Sequence, residues 1–169
     1  MPFSIHTVAI MSSRHMLGSL SHVLKKAEAH CEARKIDPSV LLAARLYPDM
    51  LPLTAQVQIA TDQAKGAAAR LAGVDIPKFE DDEKTFPECQ ERIQKTLAFL
   101  ETLKPAQFEG AESKEITIPA RDQTLKFSGQ DYLLTRALPN IYFHVTTAYD
   151  ILRHNGVEIG KSDYLGGGR

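Results

Sequence analysis

The chain has 169 residues, 43% hydrophobic and 24% charged, the make-up of one ordinary globular domain and not of a disordered or fibrous chain. Twenty Lys and Arg stand against 21 Asp and Glu for a formal net charge of -1, with no aromatic-interleaved basic cluster, so nucleic acid is not the expected partner. No apolar run nears the ~18 residues of a membrane span, and MPFSIHTVAIMSSRH lacks the basic-then-apolar order of a secretory signal; a bacterial cytoplasmic protein, one domain over 1–169, is expected.

The first helix is predicted over 5–34, where Ile10, Leu17, Leu20, Leu24, Ala27 and Cys31 make one apolar stripe. Asp37-Pro38 breaks it, and 39–47 reads as a short helical or irregular connector. A second long helix follows Pro48-Asp49, with Pro52 in its first turn, and runs to Ala72. Leu53, Val57, Ala60, Ala64, Ala67 and Leu71 form its buried face, and Gly73 is its C-cap. The acidic stretch 74–84 reads as an exposed loop. Thr85 and Glu88 have capping-box spacing and open a third helix, whose stripe is Ile93, Leu97, Leu100 and Leu103.

Helical period then gives way to alternation in 115–119 and 124–128 around a polar turn at 120–123, which predicts a β-hairpin over about 114–128. Ile116, Ile118, Leu125 and Phe127 are expected to pack it on the bundle. The last helix starts after Ser128-Gly129 and ends at Asn155. Its stripe is Leu134, Leu138, Ile141, Val145, Ala148 and Leu152, and Pro139 in its interior predicts a kink. The tail 157–169 is expected to lie over the surface and become disordered at its end. The pattern is an all-α four-helix bundle with a small hairpin before the last helix.

Few residues carry chemistry. His15 and His22 share a face, but that face points roughly 150° from the core stripe, so both are expected in solvent. Cys31 and Cys89 lack metal-type spacing and read as free thiols in a reducing compartment. His154, near a helix end, suits the terminal carbonyls. His144 flanks the stripe of the last helix, with Asn140 one turn earlier aimed at the same volume. Gln56 flanks the stripe of the second helix, while Gln58 faces away. A buried imidazole beside two amides is either a satisfied polar cluster or a ligand site, and spacing alone favours the cluster. No P-loop, dinucleotide fingerprint, nucleophile elbow or zinc-type cysteine pair is present.

ARKIDPSVLLAARLYPDM at 33–50, AAARLAGV at 67–74 and GQDYLLTRALPNIYFHVTTAYDILRHNGVEIGK at 129–161 resemble the DinB/YfiT-like metalloenzyme superfamily, in its uncharacterised branch, a domain of unknown function. The resemblance implies an up-down-down-up four-helix bundle, a homodimer, and a site between helices. Better-known members resemble thiol-dependent transferases or metal hydrolases, with one histidine on the second helix and His-x-x-x-His on the last. Here those positions read Gln56 and Asn140-x-x-x-His144. Amide oxygens are poor ligands for zinc or nickel, so no metal is expected, and His144 is the one weak candidate ligand. The implied alternatives are therefore a bundle of unassigned activity and a small-molecule enzyme, such as a thiol-dependent transferase or a metal-dependent enzyme using His144.

Overall fold

The structure, a computed structural model, describes residues 3–120 and 123–167. Four long helices form the bundle: α1 (Ile5–Arg34), α3 (Leu53–Ala72), α4 (Phe86–Thr102) and α6 (Leu138–His154). Short helices α2 (Pro38–Leu42), α5 (Gly129–Asp131) and α7 (Lys161–Tyr164) and one hairpin complete it.

Cross-links fix the helix order and direction. Arg14 pairs with Glu101 and Ser21 with Gln90, so α1 and α4 run antiparallel. Gln56 meets His144 and Arg70 meets Tyr132 on the way into α6, so α3 and α6 do the same. α3 and α4, by contrast, are parallel. Gln58, early in α3, donates to Glu83, just before α4, and Asp62, one turn further along α3, pairs with Arg92, further along α4. The chain thus runs up, down, down, up, and 74–84 must travel back along the bundle to begin α4 beside the start of α3.

Local chemistry explains the helix ends. Ser4 caps α1 through its hydroxyl on the Thr7 amide, and Lys35 closes it in the left-handed region at φ 56. Asp37 caps α2. The second long helix begins at Leu53, later than the sequence suggests, because Pro52 has extended backbone and acts as its N-cap. Gly73 ends α3 at φ 71, a conformation that costs glycine little. Thr85 and Glu88 form the reciprocal capping box of α4, the kind of cap worth about 1 kcal/mol. The alanines of α3 are buried as expected, and with no side chain beyond Cβ they let α1, α4 and α6 approach closely.

Strands β1 (Glu115–Ala120) and β2 (Gln123–Ser128) pair antiparallel with Ile116 opposite Phe127 and Ile118 opposite Leu125. Residues 121 and 122 of the expected turn lie outside the described residues. Ile116 is buried, and Ile118 and Phe127 pack against the core, which gives this isolated hairpin its support.

The largest departure from the sequence pattern is the entry to α6. Residues Tyr132–Ala137 form a π-helical segment, which takes an extra residue per turn directly ahead of Pro139. Pro139 has no N–H to give to the preceding turn, and the widened turn lies where that hydrogen bond is missing. The extra residue changes which side chains face inward. Leu134, expected in the core, is 51% exposed, while Leu133 and Ala137 are buried. Beyond the widened turn the expected stripe holds: Leu138, Ile141, Val145, Ala148 and Leu152 are all buried.

The tail lies over the surface of the bundle, as expected, and is tied down there. α7 lies on α1, and Asp163 bonds His22 Nε2 at 2.8 Å, Lys26 Nζ at 3.0 Å and the Gly160 amide at 2.7 Å. Tyr164 bonds Thr146 through its hydroxyl and meets the Tyr149 ring edge-on at 5.9 Å. His22, expected in solvent, is thus half-covered by the tail, and His15 remains exposed. The disorder expected for the last two residues falls outside the described residues.

Candidate functional site at the seam of α3 and α6

α3 and α6 are the most intimately packed helix pair, and Gln56 and His144, two of the polar residues singled out from the sequence, meet across their seam. Gln56, 2% exposed, is held on the first turns of α3, just after the turn at Pro52. Its Nε2 donates to the main-chain oxygen of Leu51 at 2.9 Å, and its Oε1 lies 2.7 Å from His144 Nδ1. Residues 88 apart in sequence are joined by one hydrogen bond.

Asn140 does not join them. Its Nδ2 donates to the Arg136 main-chain oxygen at 2.7 Å, within its own helix. Thr135 likewise bonds back to the Asp131 oxygen at 2.6 Å. Both side chains are occupied by the carbonyls around the widened turn, a familiar use of Asn and Thr inside helices. Helical spacing puts Asn140 one turn before His144, but the Arg136 carbonyl in the widened turn claims its amide.

His144 is half-buried, and burial pushes its pKa below the ordinary histidine value, favouring the neutral ring. The Phe143 ring meets it edge-on, with centroids 5.2 Å apart. His144 Nε2 makes no hydrogen bond among the described residues. No buried side-chain nitrogen or oxygen there lacks a partner, so this nitrogen reaches solvent. One imidazole nitrogen is therefore fixed inside the protein, and the other reaches out from a ring packed edge-on to Phe143, itself 56% exposed.

These donors do not fit a three-ligand zinc or nickel centre. Gln56 spends both ends of its amide on Leu51 and His144, and Asn140 is turned into its own helix. Among the described residues, no three His, Cys, Asp or Glu side chains gather in a way that would hold a metal ion.

The remaining candidates are structural. Cys31 and Cys89 are buried free thiols. Desolvation raises the pKa of both, that of Cys89 to about 12, which leaves them unreactive. His6 packs edge-on to Phe108 at 5.0 Å. His154 is exposed, and the carbonyl it was expected to serve near the end of α6 is met by Asn155, whose Nδ2 donates to Ile151 at 2.8 Å. Tyr132 is buried and accepts from Arg70 at 3.2 Å, whereas Tyr47 and Tyr142 are exposed.

Sequence reasoning missed one large polar cluster. Arg92 of α4, 2% exposed, bonds Thr61, the Glu80 main chain, Asp62, Asp81 and Glu83. Buried Lys65 pairs with Asp62 and lies 4.5 Å from the Phe79 ring centre. Together they fasten the stretch 74–84 over a cavity of about 440 Å³ lined by Phe79, Glu83, Arg92 and Lys95. This stretch is exposed, as expected of a loop, but it is anchored as a strap, and Gln58, off the buried stripe of α3, donates to its Glu83. A hint was present: Arg92 adjoins Ile93 at the edge of the apolar stripe, where a lone cation needs carboxylates.

The family model for a domain of unknown function, DUF1993, matches residues 5–165. A crystal structure of a DinB family member protein from Shewanella denitrificans is 43% identical, covering 96% of this chain and 92% of that one with a TM-score of 0.89. No curated protein matches.

Proposed function

This chain belongs to the DUF1993 family, with a DinB-like bundle fold, and we propose that the seam between α3 and α6 is its working site. In this reading the seam binds a small molecule, His144 Nε2 meets the ligand, Gln56 supports the imidazole from behind, and Asn140 borders the site. The observation that carries the reading is the asymmetry of the ring: Nδ1 is bonded inside the bundle, while Nε2 reaches solvent. A histidine kept only to satisfy a core amide has no need of an open second nitrogen. The proposed site works without a tightly held zinc or nickel ion, since a single imidazole seldom retains a divalent cation.

A second reading has its own support. Gln56 is almost fully buried with both ends of its amide satisfied, so the contact ties the turn before α3 to α6. In that case the cluster serves packing alone, and the protein is a bundle without chemistry at this seam.

The variant His144→Ala separates the two. A ligand site predicts a folded variant, a small change in melting temperature, and loss of the stabilisation that ligands give the wild type in a thermal-shift screen. A drop of many degrees points to packing, since about 1 kcal/mol moves the midpoint of a chain this size by roughly 2–4 °C. The screen includes low-molecular-weight thiols, whose use by a transferase is supported only by resemblance. Elemental analysis of protein purified without a metal-affinity tag is expected to find far less than one ion per chain, and a stoichiometric metal overturns that part of the proposal.

We also propose that the protein is a homodimer in a bacterial cytoplasm. Its buried free thiols suit a reducing compartment, and sedimentation velocity tests the dimer.

A further inference from the structure

We infer that Gln56 is a positioning residue that holds His144 as its Nδ1–H tautomer, so that Nε2 offers a lone pair to a neutral hydrogen-bond donor carried on an apolar body. The ligand half rests on the small-molecule reading above; the proton half stands without it.

The proton assignment follows from one group with no freedom. The main-chain oxygen of Leu51 can only accept, so the Gln56 atom 2.9 Å away must be the amide nitrogen. That orientation turns Oε1 toward His144. Oε1 can only accept as well, so Nδ1, 2.7 Å from it, must carry the hydrogen. A neutral imidazole has one N–H, and burial favours the neutral ring, so Nε2 is left with its lone pair. This is the reverse of the Nε2–H form that free histidine prefers in water. A carbonyl at 51 therefore sets the proton of a ring on the far side of the seam.

The surroundings of Nε2 narrow the ligand. An anion without an O–H or N–H has no hydrogen to give the lone pair. A cation would lose hydration against the Phe143 ring, which packs edge-on to the imidazole and is 56% exposed. A neutral O–H or N–H on an apolar skeleton meets both demands: the donor bonds Nε2, and the skeleton covers the exposed Phe143 ring.

The test is nitrogen-15 NMR of the full chain without ligand, at a pH where the imidazole is neutral. Long-range proton–nitrogen correlations are expected to show a protonated Nδ1 and an unprotonated Nε2. The opposite pattern, or an averaged pair, overturns the inference on the wild type alone. Gln56→Met keeps length but removes the acceptor, and should release His144 toward the Nε2–H form while circular dichroism stays helical. Gln56→Glu restores an acceptor and should return Nδ1–H. A helical Gln56→Met protein with an unchanged tautomer overturns the positioning role. Phenol and anisole serve as ligand probes, alike except for the O–H. Phenol should shift Nε2 and bind roughly fivefold tighter than anisole, the worth of one ordinary hydrogen bond. Equal binding, or no phenol binding, overturns the ligand class. Whether any small molecule uses the seam is decided separately by the thermal screen, so the two failures remain distinct.

Discussion

Arg92 donates to Glu83 at 2.9 Å with the two side chains only 2% and 8% exposed, which makes this pair the most enclosed ionic contact of the strap. The pair is one element of a fan, because the same guanidinium reaches Asp62, Asp81 and the Glu80 main chain. Truncating Arg92 leaves Glu83 buried beside other carboxylates. Arg92→Ala should therefore destabilise the protein by about 3 kcal/mol, measured by urea denaturation. Arg92→Lys keeps the charge but not the planar fork and should recover only part of the loss. Limited proteolysis of Arg92→Ala should cut first within 74–84.

Acid should weaken the fold in two stages. His144 has a folded pKa below its unfolded value near ~6.5, so the unfolded chain binds the proton first. Stability contributed by the neutral ring is complete above that unfolded value and falls as the pH drops below it. For Glu83 burial acts to raise the pKa, but bonds from Gln58 and Arg92 outweigh it and hold the carboxyl low. Asp163 is held low by the Gly160 amide, His22 and Lys26. These two contributions are present above the ordinary carboxylate range and are lost as the pH falls through it and below. Denaturation across a pH series should show both stages in wild type, and His144→Gln should lack the first.

Two glycines should respond in opposite ways to alanine. A Cβ on Gly129 would lie 1.8 Å from the Ala111 main-chain oxygen, a rigid atom that cannot step aside. Gly129→Ala should therefore cost at least about 2 kcal/mol and disturb the hairpin's junction with α5. Gly18 lies in the middle of α1, with nothing within 4 Å of an added Cβ. There Gly18→Ala should stabilise by about 0.5–1 kcal/mol through better helix propensity. Melting curves of both variants check the pair.

Much of the bundle was legible in the sequence because each long helix carries its own local marks. α1 ends at Arg34 because a left-handed residue and Asp37-Pro38 follow it, and α4 starts at Thr85 because the capping box is written in four consecutive residues. Helical period likewise carried Gln56 and His144 to the edges of their stripes. What failed was non-local. Pro139 beside Asn140 announces a bend but not a π turn, and nothing near His22 announces a carboxylate from residue 163. The Arg92 fan gathers side chains from α3, α4 and the strap, and its members look like ordinary surface charges when read one at a time.

Neither thiol should react while the protein is folded. Cys31 and Cys89 are 1% and 0% exposed, and desolvation disfavours the thiolate that alkylation requires. Iodoacetamide at mildly alkaline pH should modify neither cysteine until denaturant is added, as mass spectrometry would show. Rapid native labelling of Cys89 would mean that α4 detaches readily from the bundle.

The widened turn at Tyr132–Ala137 stores one residue more than ordinary α-helical turns would hold. Deleting a single residue there would return the segment to regular turns of roughly 100° per residue and leave everything downstream at about its present rotation relative to the hairpin. The imidazole would stay beside its glutamine, with Ile141, Val145 and Leu152 still in the interior. Adding a residue at this point would instead turn that face away, so an insertion is the harsher change here.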